Sequence, residues 1–111
     1  VAREQRRGSK YRGIVLAPPS CGRGSQGQVW KIEEGIRSLL EYCRAVLDTS
    51  GPYFILLSCH SQGFSPISLG RCLAEVFPED AQYLEAGEMT VPEADSGRCL
   101  PAGMFARIFR K

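Results

Sequence analysis

The sequence predicts an α/β fold in which a parallel β-α-β-α unit is closed by an antiparallel β-hairpin. Three observations predict it. Two short, continuous apolar runs, at 14–16 and 53–57, have the character of strands covered on both faces. Each leads into a stretch with apolar residues at helical spacing, and strand-helix alternation calls for parallel strands joined by right-handed crossovers. After the second helix come two strand-like runs, Tyr83 to Glu88 and Met104 to Phe109, with no helical pattern between them. Two such strands must pair antiparallel.

Taken in order, Val1 to Lys10 has little periodicity, and its AREQRRG segment reads as the end of a helix stopped by Gly8. Nothing before it explains why a helix would begin, so the chain is expected to start part-way through a larger unit. The strand Gly13 to Leu16 then runs into Ala17, Pro18 and Pro19. Proline fixes φ and removes a donor, which makes these three a stiff extended finger at the strand's carboxyl end. Gly22, Gly24 and Gly27 follow, and a backbone without Cβ atoms turns tightly or approaches a ligand closely. Ligands of open α/β sheets lie outside the carboxyl ends of the strands. The G-R-G-S-Q-G spacing is not a dinucleotide fingerprint, however, so the loop reads either as a functional rim or as an ordinary strand-to-helix connection.

A helix is expected from about Lys31 to Leu47. Ile32, Ile36, Leu39, Leu40, Cys43, Val46 and Leu47 mark its buried stripe, and Glu33 and Glu34 suit the dipole of its first turn. Asp48 to Pro52 ends it. The second strand, Tyr53 to Leu57, leads into Ser58-Cys59-His60-Ser61-Gln62-Gly63. Ser65 then caps a helix with Pro66 at its first position and Leu69, Leu73, Val76 and Phe77 inward. Residues 92–97 and 101–103 read as loop.

At 111 residues the chain is one domain or less, and 43% hydrophobic with 23% charged residues is ordinary for a soluble globular protein. No apolar run approaches the roughly 20 residues that cross a bilayer, which argues against a membrane partner. Val1 to Arg12 is polar and basic rather than a secretory signal, so a cytoplasmic address is expected. Five cysteines without paired CxxC spacing fit neither a disulfide scaffold nor a zinc ribbon, and Cys43 and Cys72 fall on apolar helical positions as small core residues. Both chain ends are basic: Arg3, Arg6, Arg7, Lys10 and Arg12 at one, Arg107, Arg110 and Lys111 at the other. Such ends either track a phosphate backbone or form a solvated face.

Several words of the sequence resemble one family. Ile14-Val15-Leu16-Ala17-Pro18-Pro19-Ser20 resembles the apolar strand and D-P-P motif of class I S-adenosylmethionine-dependent methyltransferases. Gly22-Arg23-Gly24 and Gly27-Gln28-Val29-Trp30-Lys31 resemble the G-R-G and G-E-V-W-K continuation of a bacterial branch assigned to ribosomal RNA methylation. Ser65-Pro66, Glu85 to Met89 and Gly97 to Gly103 continue the likeness to the closing Phe105-Ala106-Arg107, so it spans nearly all of residues 1–111. The resemblance implies the C-terminal half of a Rossmann-like methyltransferase sheet, its strands four to seven. It also implies a partial catalytic domain whose cofactor-holding elements, the glycine-rich loop after the first strand and the acidic residue ending the second, lie outside this chain. S-adenosyl-L-methionine would be the cofactor of the complete domain and RNA, ribosomal in that branch, the substrate.

The same resemblance implies site residues. Pro18 and Pro19 would hold the tip rigid against a flipped base, with Ala17, Ser20, Arg23 and Lys31 along the substrate path. In amino-group methyltransferases the residue before Pro-Pro accepts a hydrogen bond from the target amine. Here that residue is Ala17, whose methyl accepts none. Cytosine-C5 enzymes instead use a cysteine thiolate, and Cys59 sits about where they carry theirs. The competing reading makes Cys59 a strand-end core thiol, because adjacent residues leaving a strand point to opposite faces. His60 reads as a loop hydrogen-bonder rather than a ligand, and Trp30 as a packing anchor or, alternatively, a base-stacking platform. A non-catalytic scaffold, marked by Ala17, is the alternative function. Without a strand beside it, Gly13 to Leu16 would be an exposed apolar edge, and self-association is expected there.

Overall fold

The computed structural model describes residues 2–18, 21–23, 29–61 and 63–111, with the backbone alone at 2, 21–23 and 29–34. In chain order the elements are α1 (Ala2–Arg6), β1 (Gly13–Leu16), β2 (Cys21–Arg23), β3 (Val29–Lys31), α2 (Ile32–Val46), β4 (Tyr53–Cys59), α3 (Pro66–Val76), a 3-10 helix (Pro78–Tyr83), β5 (Leu84–Pro92) and β6 (Cys99–Arg110).

Four strands form one sheet in the order β1-β4-β6-β5. β1 and β4 are parallel, and β6 runs antiparallel between β4 and β5. This is the expected α/β arrangement, a parallel β-α-β-α unit followed by an antiparallel hairpin. The last strand of the chain thereby becomes an inner strand of the sheet.

The register sorts the side chains into two faces, since residues directly opposite one another across a ladder point the same way. On one face Ile14, Ile55, Ile108 and Leu84 form a row, and Leu16, Leu57, Ala106 and Ala86 the next. The helices cover these rows. Ile36, Leu40 and Cys43 of α2 and Leu69, Leu73 and Val76 of α3 join Ile55, Leu57 and Ile108 in a single buried cluster. Each fully buried aliphatic side chain there contributes about 1.5–3 kcal/mol relative to exposure. Gly70 lets α3 sit close to the sheet, because a Cβ there would lie 3.2 Å from both Ala86 and Leu84.

The opposite face carries Gly13, Phe54 and Phe109 in one row and Val15, Leu56, Arg107 and Glu85 in the next. No described helix covers it. The expectation that β1 is covered on both faces is therefore corrected: Val15 is 65% exposed. Continuous apolar runs mark strands buried on two sides, whereas the described residues supply one helical layer. β1 is also an edge strand among the described residues, as expected from the sequence.

Two loop assignments also change. The glycine-rich connection after Pro18 contains a short antiparallel ladder, Cys21–Arg23 with Val29–Lys31, which delivers the chain directly into α2. Residues 101–103, expected as loop, belong to β6. Pro101 is tolerated because it lies beyond the end of β4, in a two-stranded arm where one strand edge is free. The ladder changes register between Glu88 and Thr90, opposite this stretch.

A polar knot fastens the 3-10 helix beneath the sheet. The hydroxyl of Tyr53 donates to buried Asp80 at 2.5 Å, and Arg110 stands 3.7 Å from the same carboxylate. Arg44 pairs with Glu79, donates to the Val76 carbonyl at 2.7 Å and lies over the Phe77 ring. At the other end, Gly8 adopts φ +73° after α1, as a helix stop should. Tyr11 then donates to Glu4 at 2.6 Å and bridges its backbone to the end of α2.

Candidate active-site edge

Because β1 and β4 are parallel, their carboxyl ends emerge on the same edge of the sheet, the edge that in open α/β folds carries ligands. β1 delivers exposed Ala17 and half-buried Pro18 there. The Ser58 hydroxyl reaches across from β4 toward the Leu16 carbonyl at 3.5 Å, a long contact that ties the two strand ends together. Pro19 and Ser20 lie outside the described residues. Arg23 and Lys31 fall on the β2–β3 ladder immediately after the tip, Lys31 paired with Cys21 and Arg23 with Val29. That places both backbones on the same flap without fixing where their side chains go.

Cys59 ends β4 on the helix-facing side. It is 0% exposed, and its sulfur accepts a hydrogen bond from the Ser61 backbone N–H at 3.3 Å. His60, the next residue, is exposed. Its ring lies against Gly103 of β6, where a Cβ would come within 2.7 Å of the ring and 2.9 Å of the Cys59 carbonyl; Gly103 also has φ +99°. A glycine is thus required at this point twice over. The chain then turns at Gly63, φ +90°, into the reciprocal cap of α3, in which Ser65 accepts from the Ser68 N–H at 3.1 Å and donates its own N–H to Ser68 at 2.8 Å. Pro66 follows as the first residue of α3.

The edge therefore carries Ala17 and Pro18 after β1 and Ser58 and His60 at the end of β4, His60 turned toward β6 and Cys59 buried in the helix-facing layer. Ser58 and the Gly103–His60 contact were not singled out from sequence. Both depend on a register between strands more than 40 residues apart, for which the sequence carries no local signal. Elsewhere, burial pushes the Cys43 thiol up, as suits a core position. Among the described residues no group of three or more His, Cys, Asp and Glu gathers as a metal site, and no helix is long and apolar enough to cross a membrane.

The fold is that of part of a Rossmann-like methyltransferase sheet. A SAM-dependent methyltransferase from Agrobacterium tumefaciens superposes with a TM-score of 0.84 at 30% identity, over 99% of this chain and 36% of that one. SMU.776, described as a methyltransferase and solved in complex with SAH, matches with a TM-score of 0.66 at 16% identity, over 96% of this chain and 28% of its own. A Streptococcus mutans protein described as SAM-dependent gives 0.64 at 15%, over 97% and 27%. The chain thus spans about a third of the length of the solved structures it matches. No family model and no curated protein matches the sequence.

Proposed function

We propose that this chain is part of an S-adenosylmethionine-dependent methyltransferase that acts on RNA, ribosomal RNA in the first instance. The observation that carries the methyltransferase reading is the superposition at 30% identity over 99% of the chain. The RNA substrate is supported by the G-R-G and V-W-K words at 22–24 and 29–31 and by the basic ends.

S-adenosylmethionine, when bound, supplies a methyl group on a sulfonium, which a nucleophilic substrate atom takes up. The residues of this chain fit one wall of such a site: a stiff, exposed tip at the carboxyl end of a parallel strand. In this reading Ala17 and Pro18 orient the substrate, together with Pro19 and Ser20. Arg23 and Lys31 hold RNA phosphate. Cys59, beneath them in the helix-facing layer, becomes a nucleophile only if the strand end rearranges. Ala17 leaves the tip without a side-chain acceptor at that position for a target amine, and one charge-assisted hydrogen bond is worth about 1.5–3 kcal/mol.

The test joins residues 1–111 to the part of the Agrobacterium methyltransferase outside the matched region and follows methyl transfer from radiolabelled S-adenosylmethionine to ribosomal RNA. Label in RNA is expected, and Ala17→Asp is expected to raise the rate about 10- to 100-fold if the acceptor is an amine. Cofactor binding without transfer to any RNA would overturn the RNA assignment. Absence of cofactor binding by a folded joined protein would overturn the methyltransferase reading and favour a scaffold.

A further inference from the structure

The acceptor that residue 17 lacks is carried by its neighbour across the sheet. β1 and β4 pair in parallel from Gly13 with Phe54 to Leu16 with Leu57, and the same register carried one residue further sets Ala17 beside Ser58. Alternation along each strand puts both side chains on the face that carries Val15 and Leu56. The next residue in that row is Phe105 of β6. The far carbons of its ring lie toward Gly87 of β5, where a Cβ would meet them at 3.3 and 3.5 Å, and Arg107, held by Glu85, stands over the ring at 5.5 Å. The ring is thus drawn toward β5 and away from Ser58. A methyl on one side and an averted ring on the other leave the half-buried Ser58 hydroxyl approachable.

Among the described residues, that hydroxyl makes one hydrogen bond, donated to the Leu16 carbonyl at 3.5 Å, the long end of the range for such a bond. A serine hydroxyl has one hydrogen and two lone pairs, so its capacity to accept is unspent. Resting on the RNA methyltransferase reading, we infer that Ser58 Oγ accepts a hydrogen from the amino group of the substrate base, the part that Ala17 leaves unfilled. An amino group placed there leaves the bond from Ser58 to Leu16 intact. A base carbonyl in the same place would be satisfied only by turning the hydroxyl away from Leu16, so the arrangement selects bases with an exocyclic amine over those with a carbonyl.

Cytidine 5′-monophosphate carries an amine where uridine 5′-monophosphate carries a carbonyl, and the test titrates each into the 111-residue chain by two-dimensional NMR. The cytidine nucleotide is expected to shift the amide signals of Ala17 and Ser58 and to bind at least threefold more tightly than the uridine nucleotide. Ser58→Ala is expected to erase the preference and Ser58→Thr, which keeps the hydroxyl, to retain it. Equal binding, no shift at either residue, or a preference that survives Ser58→Ala overturns the inference. A second arm measures methyl transfer in the joined protein described above. Ser58→Ala should lower kcat/KM about 3- to 10-fold with Ala17 in place and have little effect in an Ala17→Asp background, where a carboxylate takes the amine. Equal losses in both backgrounds would make Ser58 a tie between strands and nothing more, which also overturns the inference. The two readings fail separately: a cytidine preference that depends on Ser58 without methyl transfer keeps this inference and removes the methyltransferase assignment, and transfer indifferent to Ser58→Ala does the reverse.

Discussion

Strand β4 belongs to two environments at once. Tyr53, Ile55, Leu57 and Cys59 point to the helices and are at most 3% exposed, while Phe54, Leu56 and Ser58, on alternate positions of the same strand, are only half-buried. Residue type does not separate the two sets: Leu56 is as apolar as Leu57. What differs is the layer above them. An apolar residue on a strand thus does not by itself say whether it is covered; the helices packed on one face decide that.

That contrast can be broken by substitution. The largest effect is expected at Leu57→Ala, which opens a cavity in the fully buried cluster and should cost about 2–5 kcal/mol in urea unfolding. Leu56→Ala, one residue along, should cost clearly less in the isolated chain. Equal losses would mean that the second face is already covered, by self-association for example. Next comes Tyr53→Phe, which removes the donor to Asp80 but leaves the ring. A loss of about 1–3 kcal/mol is expected from a buried carboxylate short of one partner, and no change in midpoint would show that Arg110 alone satisfies it.

Thiol chemistry sharpens the comparison at the site itself. Cys99 is exposed, whereas Cys43 and Cys59 are buried, so iodoacetamide followed by peptide mapping should label Cys99 early and Cys59 only on unfolding. Rapid labelling of Cys59 would revive it as a nucleophile in the resting structure. Ser65→Ala should remove about 0.5–2 kcal/mol by deleting the reciprocal cap of α3. The smallest effect concerns acid. The hydrogen bond from Arg44 holds the Glu79 carboxyl below its ordinary value, so this pair favours the folded state at neutral pH and its contribution is lost as pH falls through the carboxylate range. Arg44→Ala should flatten that part of the stability profile.

Much of the architecture was legible because its signals are local. The stripe of α2 from Ile36 to Val46, the Ser65–Pro66 start of α3 and the stop at Gly8 each depend on residues within a turn or two, and all three stand where the sequence put them. The extension of β6 through Pro101 was not legible, since it needs a partner, β5, that supplies the ladder on one edge only. Nor was the short ladder within the glycine-rich connection, whose residues carry no alternating pattern. At the sheet edge, the place of Ala17 and Pro18 just after β1 followed from strand and proline chemistry alone. Ser58 and the seat of His60 on Gly103 arise from pairing across the sheet, so they became visible only once the register was known.

Calorimetric titration of S-adenosylhomocysteine tests the proposed function most directly, first into the 111-residue chain by itself and then into the chain joined to the part of the Agrobacterium methyltransferase outside the matched region. The account predicts no binding in the first titration and one-to-one binding in the second. Stoichiometric binding to the chain by itself would contradict it, because the ligand would then need no wall beyond the one that these residues build.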